Sequence, residues 1–216
     1  YVERMPEGQD AIWYLIGERR SLIERSPALE ALREKGQEVL LLTDPVDEFL
    51  VGHLGEFRGK PLKAADRGAL EDADADDETK QAAEELEGLF AYLKTAIGGL
   101  KEVRVSRRLR ESAAVLVADE HGVGAHLERL MKRMGRGDEL PPRERILELN
   151  PGHEAVTALK AMYEADPSDP RVEDCARLLY EQAVIAEGST VEDPAAMAAR
   201  VNRLIARAAG SAPSND

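Results

Sequence analysis

The sequence predicts a mixed α/β and α+β protein: a small αβα sandwich, then an α+β domain that ends in a helical hairpin. Three features predict it. Strand-length apolar runs alternate with capped helices over residues 1–66. An acidic shift in composition follows at 67–76, and the domain beyond it, 77–209, closes with two long helices whose apolar residues repeat at helical spacing.

In the first part, Ala11–Ile16 (AIWYLI) has the length of a strand. Ser26-Pro27 supplies an N-cap and a first-position proline, Leu29 and Leu32 share one face, and Gly36 ends the helix. Val39–Leu42 (VLLL) is apolar throughout, as a strand covered on both faces should be. Thr43-Asp44-Pro45 opens a helix to about Leu54, and Pro61–Ala65 suits a third strand. The alternation predicts a small parallel sheet with right-handed crossovers.

The acidic run Glu71–Glu78 reads as a solvated connector into a helix, because acidic residues complement the macrodipole in a first turn. Leu86, Leu89, Phe90, Leu93 and Ile97 form that helix's stripe, and Gly98-Gly99 ends it. Val103 and Val105, then Ala114–Ala118, predict strands of a second sheet, with Ile146–Leu149 as another short strand. Between them a helix spans about Val123–Met134, followed by a loop over Gly135–Pro142. Asn150-Pro151 is expected to cap a helix to about Ala165. The closing helices run about Arg171–Glu187 and from Asp193-Pro194 to about Ala209, and the tail 210–216 has a disorder-prone composition.

Charge and composition narrow the function. The 216 residues carry a formal charge of −13, which counts against a nucleic-acid backbone or an anionic membrane as partner. No run of about 18 apolar residues occurs. Cys175 is the only cysteine, so an internal disulfide and a CxxC site are excluded and a reduced, cytoplasmic setting is expected. Tyr-Val-Glu-Arg-Met at the start has no initiator Met and no signal-peptide pattern, as expected of a piece from within a longer protein.

The residues suggest no catalytic, cofactor or metal site. A nucleotide-binding enzyme built on the first parallel sheet is the alternative reading. It lacks a phosphate loop, because Gly17-Glu18-Arg19-Arg20 follows the first strand and no GxxxxGK[ST] occurs. His121 and His126 are five apart, unlike the pair of a zinc helix, and His53 and His153 stand alone, so surface or packing roles are expected. Asp44, Asp47 and Glu48 fit capping and dipole complementarity at a helix start, and Cys175 fits a small buried apolar residue.

The last two helices carry more apolar surface than one face requires. Leu178, Leu179 and Ile185, with Val201, Leu204 and Ile205, suit either a hairpin buried on its own domain or a four-helix bundle with a second copy. For the Val123–Met134 helix, a Met- and Leu-rich face fits a core or an adaptable binding surface.

Several stretches resemble heat shock protein 90 chaperones of the bacterial type. YVERMPEGQDAIWYLIGE, SPALEALREKGQEVLLLTDPVDEF and LGEFRGKPL resemble the end of that family's middle domain. VRVSRRLRESAAVLVADEHGVGAHLERLM, ILELNPGHEAV and ARLLYEQAVIAEGSTVEDPAAMAARVNRLI resemble its C-terminal dimerisation domain. The resemblance implies a homodimer through the last two helices, with Leu178, Leu179, Ile185, Val201, Leu204 and Ile205 at the interface. It implies a surface for unfolded client proteins at Glu48, Phe49, Val123, Leu127, Leu130 and Met131, where Phe49 replaces the family's usual tryptophan and Val123 one usual methionine. It also implies that ATP, Mg and the catalytic arginine belong to earlier parts of a full-length parent. The tail lacks the MEEVD ending that engages TPR co-chaperones in eukaryotic relatives.

Overall fold

The computed structural model describes residues 1–70, 76–141 and 144–210. The first layer contains β1 (Ile12–Ile16), α1 (Arg20–Ile23), α2 (Glu30–Glu34), β2 (Val39–Leu42), α3 (Asp47–Leu54), β3 (Glu56–Phe57) and β4 (Lys60–Ala64). Its sheet has the order β2-β1-β4-β3, and β1 pairs in parallel with β2 and β4. Alternation along β1 makes the sandwich. Leu15 packs with Ile23, Leu29 and Leu32 on one side, whereas Tyr14 and Ile16 join Val51 of α3 in a separate cluster.

The sheet is mixed, not purely parallel. β3 pairs antiparallel with β4 through a two-residue turn, Arg58-Gly59, with φ of 50° and 72°. Positive φ at both positions suits the twist of a tight hairpin, and glycine adopts it without a Cβ clash.

The second layer contains α4 (Asp76–Ile97), β5 (Leu100–Val105), β6 (Ala114–Ala118), α5 (Ala125–Arg133), β7 (Arg145–Leu149), α6 (Glu154–Ala165), α7 (Pro170–Ala186) and α8 (Pro194–Ala208). Its sheet has the order β5-β7-β6, with β7 parallel to β5 and antiparallel to β6. One face packs Leu116, Leu147 and Leu149 against Leu89 and Leu93 of α4, Val156 and Leu159 of α6, and Val172 and Leu179 of α7. The other face packs Val115, Val117 and Ile146 against Leu109 and against Ala28 of the first layer.

Helix starts follow local chemistry. Asp169 accepts from Arg171 N (2.8 Å) and Asp193 from Ala196 N (2.9 Å), each followed by a proline in the first turn. The expected cap at Asn150 is displaced. Asn150 Oδ1 accepts from Gly152 N (3.1 Å) in a turn, and α6 starts after His153, whose Nδ1 accepts from Ala155 N (3.1 Å). Asn-Pro-Gly favours a turn over a helix start, which explains the shift. The helix expected from Thr43 begins at Asp47, whose carboxylate accepts from Asp44 N (2.9 Å).

The chain leaves the first layer bonded to the second. Ala118 N donates to Asp66 O and Gly68 N to Ala118 O, both at 3.0 Å, so residues 66–68 run beside β6. The 71–75 part of the expected connector and the 211–216 part of the expected tail lie outside the described residues.

Candidate functional site

α3 and β3 carry a concentration of exposed apolar side chains. Phe49 is 56% exposed, and Val46, Leu50, Leu54 and Phe57 are also exposed. Val46, Leu50 and Leu54 recur every four residues and therefore share a helical face. The Arg58 guanidinium lies 5.4 Å from the Phe57 ring centroid, over part of that surface.

α5 has few apolar contacts of its own. Its buried residues are Ala125 and His126, both in the first turn. Leu127, Leu130 and Met131 are partly exposed, as is Val123 just before the helix, and Met134 just after it is exposed. Polar bonds hold the helix: Glu18 Oε1 lies 3.5 Å from Arg129 Nε and 3.1 Å from Arg133 Nη1, and Arg129 Nη1 donates to Ser189 Oγ (3.1 Å).

Glu48 brings α3 and α5 together. His126 Nδ1 donates to Glu48 Oε1 at 2.8 Å, with Glu48 8% and His126 4% exposed. Arg67 Nη2 lies 3.9 Å from Glu48 Oε2. The same guanidinium packs on Gly124, where a Cβ would sit 2.7 Å from Arg67 Nη2. The six residues suggested for client contact thus occupy two neighbouring helical segments, and five of them are exposed or partly exposed; Glu48 is buried.

The dimer candidates divide by exposure. Leu178 and Leu179 are buried inside the chain, and Leu179 belongs to the main cluster of the second layer with residues of β6, α4 and α6. Ile185 is exposed, Val201 and Leu204 are partly exposed, and Ile205 is 61% exposed. No residue of α8 is buried. Ion pairs tie α8 to α7: Arg203 to Asp174 at 2.6 Å, and Arg200 to the largely buried Glu181.

The Hsp90 protein family model matches residues 1–216, the whole chain. The chain belongs to the Hsp90 family. A chaperone protein HtpG from Geobacter sulfurreducens is 45% identical over 213 residues, covering 95% of this chain and 32% of the relative. Its counterpart in Myxococcus xanthus is 44% identical over 216 residues, covering 98% and 33%. That of Mycobacterium avium is 45% identical over 213 residues, covering 96% and 33%. The chain therefore spans about a third of the length of the curated relatives it matches.

Within this Hsp90 chain, several polar residues matter more than their spacing suggested. His126, expected in a surface or packing role, is a buried hydrogen-bond donor. Arg108 is fully buried and paired with Glu148. Glu30 accepts from the amides of Arg110, Glu111 and Ser112 and from the Ser112 hydroxyl. Glu148 offered a signal: a carboxylate inside the strand run Ile-Leu-Glu-Leu needs a partner once that strand is covered. Cys175 is half-buried, and burial pushes its thiol pKa up, away from nucleophilic use. Among the described residues no group of three His, Cys, Asp or Glu is placed to hold a metal, and no helix is long and apolar enough to cross a membrane.

Proposed function

We propose that this chain is the dimerising and client-holding part of an Hsp90-type molecular chaperone. The observation that carries the reading is the apolar surface on α3, β3 and α5, with Phe49, Leu50 and Leu54 exposed and Leu127, Leu130 and Met131 partly exposed. A surface of this kind acts through area and adaptability, which suits partners that share exposed apolar groups and no common sequence. The relatives' name, chaperone protein HtpG, agrees with it.

Dimerisation is the second part of the proposal. α8 presents Val201, Leu204 and Ile205 with no buried residue of its own, and Ile185 of α7 is exposed nearby in sequence. A matching pair of helices from a second copy buries these side chains in a four-helix bundle. In a longer parent, such a tether keeps two ATP-driven N-terminal domains near each other.

ATP, Mg and hydrolysis belong, in this proposal, to other parts of that parent. The helix after β1, Arg20–Ile23, is a single turn, too short for the aligned amides and macrodipole that hold a phosphate. Light scattering tests the central claim: about twice the mass of one chain is expected at micromolar concentration, together with saturable binding of a reduced, alkylated globular protein. A single-chain mass at high concentration overturns the dimer, and lack of saturable binding overturns client holding.

A further inference from the structure

We infer that Glu48 is a positioning residue, whose bond to His126 sets α5 against α3 so that their apolar side chains form one continuous surface. The inference rests on the client-holding reading and changes the role of one residue within it. The Glu48 side chain is 3% exposed, so it presents almost no atoms to a client. Phe49, one residue and about 100° further round the helix, carries the exposed face.

The carboxylate is held from two directions. Oε1 receives the His126 Nδ1–H, and Oε2 faces Arg67 Nη2 at 3.9 Å. Gly124 leaves room for that guanidinium at the start of α5. A buried carboxylate persists only with such partners, so the pair has one preferred geometry. His126 lies in the first turn of α5, and pinning it to α3, beside the Arg129 and Arg133 contacts with Glu18 and Ser189, fixes the helix's rotation about its own axis. That rotation decides where Leu127, Leu130 and Met131 point. Few apolar contacts fix it otherwise, because none of these three belongs to a core cluster among the described residues.

The test is a double-mutant cycle on the 216-residue chain, with reduced, carboxymethylated α-lactalbumin as the probe. Glu48→Ala and His126→Ala are each expected to weaken binding about tenfold, and the double variant no further, because both remove the same bond. Glu48→Gln is expected to recover most of the affinity, since its carbonyl still accepts the Nδ1–H. The salt dependence of binding should match the wild type in Glu48→Ala, because no client charge meets Glu48. Additive losses, or Glu48→Gln as weak as Glu48→Ala with an altered salt dependence, overturn the inference in favour of direct contact. Should Glu48→Ala not fold by near-UV circular dichroism, Glu48→Gln decides alone: affinity retained without the charge supports positioning, and affinity lost overturns it. Phe49→Ser with Met131→Ser separates the two readings, because unchanged binding there removes client holding itself.

Discussion

Arg108 is 0% exposed and places its Nε 2.7 Å from Glu148 Oε2. The same guanidinium donates from Nη2 to Gly68 O (2.6 Å) and from Nη1 to Ala65 O, both at the exit from the first layer. Arg104 Nη2 (2.8 Å) and Ser106 Oγ (2.9 Å) complete the carboxylate's partners. One ion cluster therefore ties β7 to β5 and both to the chain that joins the layers. Glu30 makes a second joint: its carboxylate accepts from three successive amides, at Arg110, Glu111 and Ser112, while Ala31 N donates to Arg108 O (2.9 Å). These two joints hold the first layer, with α3, in place relative to the layer that carries α8.

Arg108→Ala is expected to destabilise the chain by about 3 kcal/mol, because the buried Glu148 carboxylate keeps only Arg104 and Ser106 as side-chain partners and Ala65 O loses its guanidinium donor. Urea denaturation followed by far-UV circular dichroism measures the loss. A loss below about 1 kcal/mol, typical of an exposed ion pair, would contradict this role.

Stability should fall in acid. Burial alone would push the Glu148 carboxyl up, but the Arg108 and Arg104 guanidiniums outweigh it and hold the group below the usual carboxylate range. Burial likewise opposes ionisation of Glu30, and the amides of Arg110 to Ser112 with the Ser112 hydroxyl outweigh it. With folded values below unfolded ones, the unfolded chain takes up more protons as pH drops. The contribution is complete above the unfolded value of about 4.3 and is lost as pH falls through the depressed folded values. Melting temperature against pH should decline below that point. Glu148→Gln with Glu30→Gln should melt lower at neutral pH and show a shallower acid slope; an unchanged slope would remove both groups as its source.

Leu204→Lys with Ile205→Lys should give a folded chain of single mass by light scattering. Neither residue is buried in the chain itself, so the monomer tolerates the charges, whereas a two-fold bundle would bury them unpaired at a cost of several kcal/mol. Leu178→Lys, by contrast, should unfold the second layer, because that side chain is already internal. A double variant that keeps the dimer mass places the interface elsewhere.

Phe49→Ser with Met131→Ser should weaken binding of an unfolded model protein by about tenfold or more while leaving dimer mass and melting temperature near wild type. Removing two large apolar contacts from an interface costs on the order of 2 kcal/mol or more. Because Phe49 is mostly exposed and Met131 partly so, the folded chain loses little. Unchanged affinity returns both residues to a structural role.

Much of the fold was legible because its signals are local. Asp193-Pro194 and Gly98-Gly99 mark helix ends where the structure has them, and Ser26-Pro27 opens the 3-10 turn Pro27–Leu29 that leads into α2, since caps and positive φ depend on immediate neighbours. Asn150 misled for a related reason: its side chain satisfied Gly152, and His153, an uncommon cap, took the helix start. The hairpin at Arg58-Gly59 went unread because Glu-Phe before it and Lys-Pro after it are too short to show alternation. The candidate surface was named through family resemblance; spacing alone left α5 open between core and contact.

The sequence by itself determined the order of the longer strands and helices, the mixed α/β class and membership of the Hsp90 pattern, because periodicity, caps and long matched stretches are written along the chain. Tertiary structure decided what the charged residues do. Glu48 finds His126 at 78 residues' separation and Arg108 finds Glu148 at 40. A carboxylate near water is a surface group, and the same carboxylate under a helix requires a donor, so its role depends on burial that neighbours in sequence do not specify. Burial likewise split the dimer candidates: side chains alike in sequence were spent inside the chain at Leu178 and Leu179 and left open at Ile185 and Ile205.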